Sequence, residues 1–334
     1  MDAASLHTPV LLERTLELLA PALERDGAVV LDGTLGMGGH SEAMLQRFPN
    51  LRLIGIDRDP DAIALAGKRL EPFADRITLV ETTYDNVAGA MGALGVAAID
   101  AALYDLGVSS LQIDSAERGF AYSKDAPLDM RMDQQGDLTA AEIVATWAER
   151  DLSQIFHRYG DEKLAGRYAR AIVNARESEP IVTSGRLVEI LIAATPMAVQ
   201  KKSGHPAKKV FQALRVVVNN ELEVLETAMP AALDALSLGG RMVVLSYQSL
   251  EDRIVKRAIA ERTVTSAPAG LPQELPEHAP SHRALVRGAE LASEAERELN
   301  TRSIPVRLRA VERISMNVRG ARAATPSRQR GARR

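Results

Sequence analysis

The stretch Ala28-Val29-Val30-Leu31-Asp32-Gly33-Thr34-Leu35-Gly36-Met37-Gly38-Gly39-His40 constrains the fold more than any other part of the chain. An apolar run ending in an acid, then closely spaced glycines, then the helical pattern Ser41-Glu42-Ala43-Met44-Leu45 reads as a buried strand, a tight turn and a helix N-terminus. That is the first crossover of a nucleotide-binding α/β domain. Glycine allows the turn to take positive φ and to approach a ligand closely, which a Cβ would prevent.

The same rhythm continues. Residues 51–57 read as a second strand ending in Asp57, 25 positions after Asp32, a spacing that suits a carboxylate gripping a ribose diol. Residues 76–81 read as a third strand and 99–108 as a fourth, which again delivers an acid, Asp105. Three strands thus point Asp32, Asp57 and Asp105 toward the edge where open α/β sheets bind ligands. Upstream, Thr8 and Pro9 suit the N-cap and first position of an amphipathic helix. After Val108 the strand rhythm stops, and residues 110–213 carry helical patterns. Strand character returns at 239–247, after a long helix running through Asn219, Asn220 and Glu221, and a last strand is expected at 306–312 beyond a proline-rich loop, 266–282. The expected fold is a doubly wound α/β sheet interrupted by an inserted all-helical domain: 1–109 with 214–315, the insertion 110–213, and a tail 316–334.

Composition closes several routes. With 46% hydrophobic residues, 334 positions can supply a full core. The chain holds no cysteine, which excludes disulfides, thiolate metal sites and cysteine nucleophiles. No metal site is expected from the six histidines. No apolar run reaches the roughly 18–20 residues that span a bilayer, and the N-terminus lacks a signal-peptide pattern, so no membrane contact and a cytoplasmic location are expected. The net charge of −3 conceals ten arginines against one acid in residues 301–334. From Met316 onward this reads as a basic, disordered tail able to hold a polyanion, or simply to keep the chain soluble.

Two cofactors compete for the glycine turn. A dinucleotide wants G-x-G-x-x-G at a helix N-terminus, whereas here position 41 is Ser. Acids beside glycines favour S-adenosylmethionine, whose sulfonium and ammonium are positive and which carries no phosphate.

Further blocks make the chain resemble the bacterial small-subunit rRNA methyltransferase H family, also called MraW, over residues 7 to about 313. These blocks are His7-Thr8-Pro9-Val10-Leu11, the glycine turn through Ser41, Asp105-Leu106-Gly107-Val108-Ser109-Ser110-Leu111-Gln112-Ile113-Asp114 with Arg118-Gly119-Phe120, Pro127 to Asp133, His205-Pro206-Ala207 with Phe211 to Arg215, and Ser249-Leu250-Glu251-Asp252-Arg253. The resemblance implies a Rossmann-like class I S-adenosylmethionine-dependent methyltransferase that modifies the exocyclic N4 of a cytidine in the decoding region of 16S rRNA. It implies cofactor contacts by Gly38, Gly39, His40, Asp57, Tyr84, Asp105 and Gln112, and substrate recognition by the helical insertion. The partner so implied is 16S rRNA or the small subunit, with no DNA; oligomeric state is left open, a dimer included.

Three departures from the family pattern matter. Ser246-Tyr247-Gln248-Ser249 stands where Ser-Phe-His-Ser is common, so no general-base histidine carries over there. Asn300-Thr301-Arg302 replaces Asn-Pro-Arg, and Lys208-Lys209 replaces Thr-Arg. Asp105 is the best candidate acceptor for the N4 proton, with the carbonyls of Leu106 or Gly107 able to share the task. Candidates for guiding RNA are Arg118, Lys124, Arg131, Lys201, Lys202, Lys208, Lys209, Arg215 and Arg253, of which Arg131 and Arg253 also suit internal salt bridges. Methylation at C5 of cytosine is excluded, because it needs a cysteine adduct. Two other readings stay open: a non-catalytic RNA-binding or assembly module with a cofactor pocket, and an NAD-dependent oxidoreductase.

Overall fold

A computed structural model describes residues 9–107, 109, 112, 116–200, 205–267, 275 and 278–316. His7, Thr8, Val108, Ser110, Leu111, Ile113, Asp114, Lys201, Lys202 and the arginine-rich tail beyond Met316 lie outside the described residues.

Seven strands form one sheet: β1 (Val29–Asp32), β2 (Arg52–Asp57), β3 (Ile77–Glu81), β4 (Ile99–Asp105), β5 (Leu236–Ser246), β6 (His282–Ala284) and β7 (Arg307–Arg313), in the order β3-β2-β1-β4-β5-β7-β6. Pairing is parallel from β3 through β5, while β7 runs antiparallel to β5 and β6 antiparallel to β7. The winding reverses between β1 and β4, and the ends of these strands together with β2 bring Asp32, Asp105 and Asp57 to one edge.

Alternate residues of each strand face opposite layers. Val30, Leu53, Leu103 and Val243 pack under helices α1 (Leu12–Leu23), α2 (Gly39–Arg47) and α3 (Pro60–Arg69). Leu31, Ile54, Tyr104 and Val244 face the other side, which α4 (Val87–Leu94) begins to cover. Between β4 and β5 the chain builds α5 (Ala140–Thr146), α6 (Glu149–Gly160), α7 (Ala165–Ser178), α8 (Ser184–Ala194) and α9 (Ala207–Val218) around a core of their own, with Ile143, Phe156, Tyr168, Leu187 and Phe211 inside. Helices α10 (Glu221–Ala235) and α11 (Ser249–Thr263) then complete the second face, and α12 (Glu294–Leu299) precedes β7.

Local chemistry accounts for the boundaries that differ from expectation. Helix α1 starts at Leu12, not at Pro9, because Leu11 takes a left-handed φ of 51° and its N–H is held by Glu296 Oε1 at 2.6 Å. The single helix expected through Asn219-Asn220 is two helices, since Asn220 is left-handed (φ 51°). Asn219 turns inward there: its Nδ2 donates to Met130 O and its Oδ1 accepts from Met132 N, both at 2.8 Å. The boundary expected at 213/214 falls inside α9, whose Val210, Phe211 and Leu214 belong to the helical core. Strand β6 begins inside the segment expected to be loop; His282 is buried there, with its Nε2 3.1 Å from Leu233 O.

Candidate active site

The glycine turn is held shut by the acids around it. Asp32 Oδ2 accepts from Ser41 Oγ at 2.6 Å and Oδ1 from Thr34 N at 3.2 Å, so one carboxylate ties both limbs of the turn to the tip of β1. Burial raises the pKa of Asp32, with the Ser41 hydroxyl opposing that shift. Gly36 N donates to Asp57 Oδ2 at 2.8 Å, and the N–H groups of Gly33, Leu35 and Gly38 donate to the carbonyls of Leu103, Ile56 and Leu35. A Cβ at residue 33 would lie 2.4 Å from Tyr104 Cε1, so the turn packs flat on that ring only as glycine. With these five N–H groups engaged, a pyrophosphate finds none of them to bind.

Above the turn lies a cavity of about 560 Å³ at the C-terminal edge of the sheet, a volume ordinary for a small-ligand site. Of the residues expected to hold a cofactor, Gly39, His40, Asp57, Tyr84, Asp105 and Gln112 line it; Gly38 stands behind the wall as the left-handed N-cap of α2, φ 76°. At one end Asp57 Oδ1 accepts from Asp59 N at 2.9 Å, and burial pushes its carboxyl up to about 6 against the pull of the Asp59 and Gly36 N–H groups. Tyr84 packs edge-to-face on Tyr104, centroids 5.9 Å apart, with its hydroxyl on Glu221 O at 3.1 Å. Gln112 is buried, its Nε2 donating to Asp59 Oδ2 at 3.2 Å and its Oε1 accepting from Ser109 N at 3.1 Å.

The other end centres on Asp105. Its N–H donates to Thr34 Oγ1 at 2.6 Å, its Oδ1 accepts from the Tyr247 hydroxyl at 2.6 Å, and its Oδ2 lies 3.7 Å from His40 Nδ1. Burial raises the Asp105 pKa, while His40 and the Tyr247 hydroxyl hold it back. The turn carrying Tyr247 is pinned by Glu251, whose Oε2 accepts from Tyr247 N and Gln248 N at 2.8 and 3.0 Å. Gln248, Asn300 and Arg302 line the cavity, as does Leu299, which is 90% exposed at its mouth. Thr34, Tyr247 and Leu299 were not among the expected site residues; only the Tyr247 departure marked any of them in the sequence.

Three of the basic residues expected to guide RNA turn inward instead. Arg118 is buried, with Nη1 on Asp59 Oδ2 at 2.5 Å and Nη2 on the carbonyls of Arg131 and Met132 at 3.0 and 2.6 Å. Arg131 forks onto Asp129 and caps the carbonyls of Gln134 and Gly136. Arg215 forks onto Glu221 at 2.7 and 2.9 Å. Each finds a carboxylate that removes most of the cost of burying a charge. Lys124 and Lys208 are exposed, Lys209 Nζ donates to Asp161 O at 2.5 Å, and Arg253 faces solvent while its neighbour Asp252 pairs with Arg309.

Among the described residues no group of three or more His, Asp or Glu side chains is placed to hold a metal ion, and no helix is long and apolar enough to cross a membrane. His278 and His282 are four positions apart but do not share a helix.

A model of the MraW methylase family matches residues 4–314. The chain is 62% identical over 308 residues to a protein of Leifsonia xyli subsp. xyli named ribosomal RNA small subunit methyltransferase H, covering 92% of this chain and 94% of that one. It is also 62% identical over 313 residues to the protein of the same name from Clavibacter michiganensis subsp. michiganensis, covering 94% and 98%. Among solved structures, an rRNA methylase from Streptococcus thermophilus superposes with a TM-score of 0.43 at 12% identity, over 93% of this chain and 100% of that one.

Proposed function

The chain belongs to the MraW methylase family, and on that premise we propose that it transfers a methyl group from S-adenosylmethionine to the exocyclic N4 of a cytidine in 16S rRNA. The observation that carries this reading is one cavity lined by both Asp57 and Asp105, over a glycine turn tied down by Asp32 and Asp57. When bound there, S-adenosylmethionine supplies a methyl already activated by positive sulfur. Asp57 suits the ribose diol, Tyr84 the adenine face, and the carboxylates match a ligand that carries cationic groups.

The chemistry left to the protein is modest but specific. A cytidine N4 amine is a weak nucleophile because its lone pair is delocalised into the ring, so it must be held in line with the methyl and lose a proton. Asp105, at the tip of β4, accepts that proton; the carbonyls of Leu106 and Gly107 adjoin it. The base must leave its stack to reach the cavity. Lys124 and Lys208, exposed on and beside the helical insertion, are the cations this reading assigns to the RNA backbone.

The test is transfer of label from tritiated S-adenosylmethionine to small subunits from cells lacking the endogenous enzyme, followed by mass spectrometry of nucleosides. N4-methylated cytidine supports the reading. Cofactor binding with no transfer to small subunits or naked 16S rRNA would favour an assembly module, and binding of a reduced nicotinamide without S-adenosylhomocysteine an oxidoreductase.

Asp57 adds a prediction on pH. Its carboxylate grips the diol only when ionised, and burial puts its titration at about 6. S-adenosylhomocysteine should therefore bind more weakly as pH falls through about 6, by up to about tenfold for each unit below it. Calorimetry across that range checks this, and Asp57→Asn should bind weakly with the pH dependence gone.

A further inference from the structure

We propose that His40 takes up the proton that Asp105 removes from the acceptor amine, so that the two act as a relay; this rests on the N4-transfer reading above. His40 Nε2 lies 3.1 Å from Val10 O. A carbonyl only accepts, so Nε2 carries the hydrogen and Nδ1 of the neutral ring presents a lone pair. That lone pair faces Asp105 Oδ2 at 3.7 Å. A lone pair opposite a carboxylate is repulsive until a proton lies between them, so the pair is built to receive one.

The surroundings direct that proton to Oδ2. The other oxygen, Oδ1, is occupied by the Tyr247 hydroxyl at 2.6 Å, and burial keeps that hydroxyl protonated by raising its pKa. The third acid near the ring, Asp32, already has both oxygens filled by Ser41 Oγ and Thr34 N. The His40 side chain is 7% exposed and that of Asp105 26%, so the carboxylate is the member that meets substrate. His40 works through it.

The step balances. As the N4 lone pair forms the new N–C bond, the S–C pair returns to sulfur and cancels its charge. The N4–H bond then breaks toward Asp105 Oδ2, leaving its electrons on nitrogen, and the proton passes on to His40 Nδ1. Asp105 is a carboxylate again, the imidazole is a cation, and the proton returns to solvent through Asp105 after product leaves.

His40→Gln is the informative variant, since its amide can still donate to the Val10 carbonyl but offers no base. The expected result is a kcat about tenfold to a hundredfold lower, within the range of acid–base effects, read at saturating S-adenosylmethionine so that any lost cofactor contact at His40 does not enter. The acid limb of the kcat profile should move to lower pH, because the variant no longer presents a second base that must be free of its proton before Asp105 can pass one on. A kcat within about twofold of wild type and an unmoved acid limb would overturn the relay. Should the variant fold poorly, the wild-type complex with S-adenosylhomocysteine gives an independent reading by nitrogen NMR. The His40 Nδ1 signal must titrate with Asp105 and lose that response in Asp105→Asn; a signal flat across the acid limb overturns the relay. If wild-type protein methylates no small-subunit RNA, the N4 reading falls first, and the NMR titration still decides whether the pair shares a proton.

Discussion

Replacing Asp105 with Asn is expected to slow methyl transfer by about 10²–10⁴-fold near neutral pH, the range for loss of a positioned base. The change is close to isosteric. Asn keeps an oxygen toward the Tyr247 hydroxyl, and the bond to Thr34 Oγ1 comes from the backbone of residue 105, so the tip of β4 should stay in place. What disappears is the capacity to take a proton. Single-turnover rates beside calorimetry with S-adenosylhomocysteine separate the two: slow chemistry with cofactor affinity within about tenfold supports the role, and near-normal turnover sinks it. In the wild type the raised pKa of Asp105 places the acid limb above the ordinary carboxylate range, so activity should fail on acidification before free aspartates titrate.

Arg118→Met should cost about 3–5 kcal/mol of stability, the penalty for stranding one member of a buried ion pair. Asp59 is fully buried, caps α3 through Asp61 N, and also receives Gln112. Without the guanidinium its charge has only neutral donors. Arg118 also holds the carbonyls of Arg131 and Met132, so the same change loosens the segment that leads into the helical layer. Urea unfolding of wild type and variant gives the loss directly, and a change below about 1 kcal/mol would show that the pair is not what fastens these segments. Cofactor affinity should fall too, because Asp59, Gln112 and Asp57 form one hydrogen-bonded group.

The three strand-end acids were legible because each closes an apolar run, although the fourth run reads on to 108 and β4 stops at Asp105. What Asp57 does to Gly36 was not legible: that bond depends on the register of β1 on β2, which sets Asp32 beside Gly55. Strand β6 is three residues long, too short for an alternating pattern to show. The break at Asn219-Asn220 hides inside a continuous amphipathic run, because its cause is the buried tie from Asn219 to Met130 and Met132. Charge misled at Arg118 and Arg215, while the internal salt bridge that also suited Arg131 forms with Asp129. An arginine in sequence reads as solvated, and only folding brings Asp59 to Arg118 across 59 positions. Tyr247 stood out as a departure from the family pattern, yet its bond to Asp105 spans 142 positions and no local signal announces it.

The bracing of the glycine turn by Asp32 and Asp57 has a consequence for how binding free energy is used. Four glycines in seven positions would ordinarily sample many conformations, and fixing a backbone costs roughly 1–2 kcal/mol per residue. Here that cost falls on folding, through the bonds from Ser41, Thr34 and Gly36, before any ligand arrives. Contacts made with the methyl donor then appear almost undiminished as affinity, and departure of the spent donor does not wait for the turn to melt.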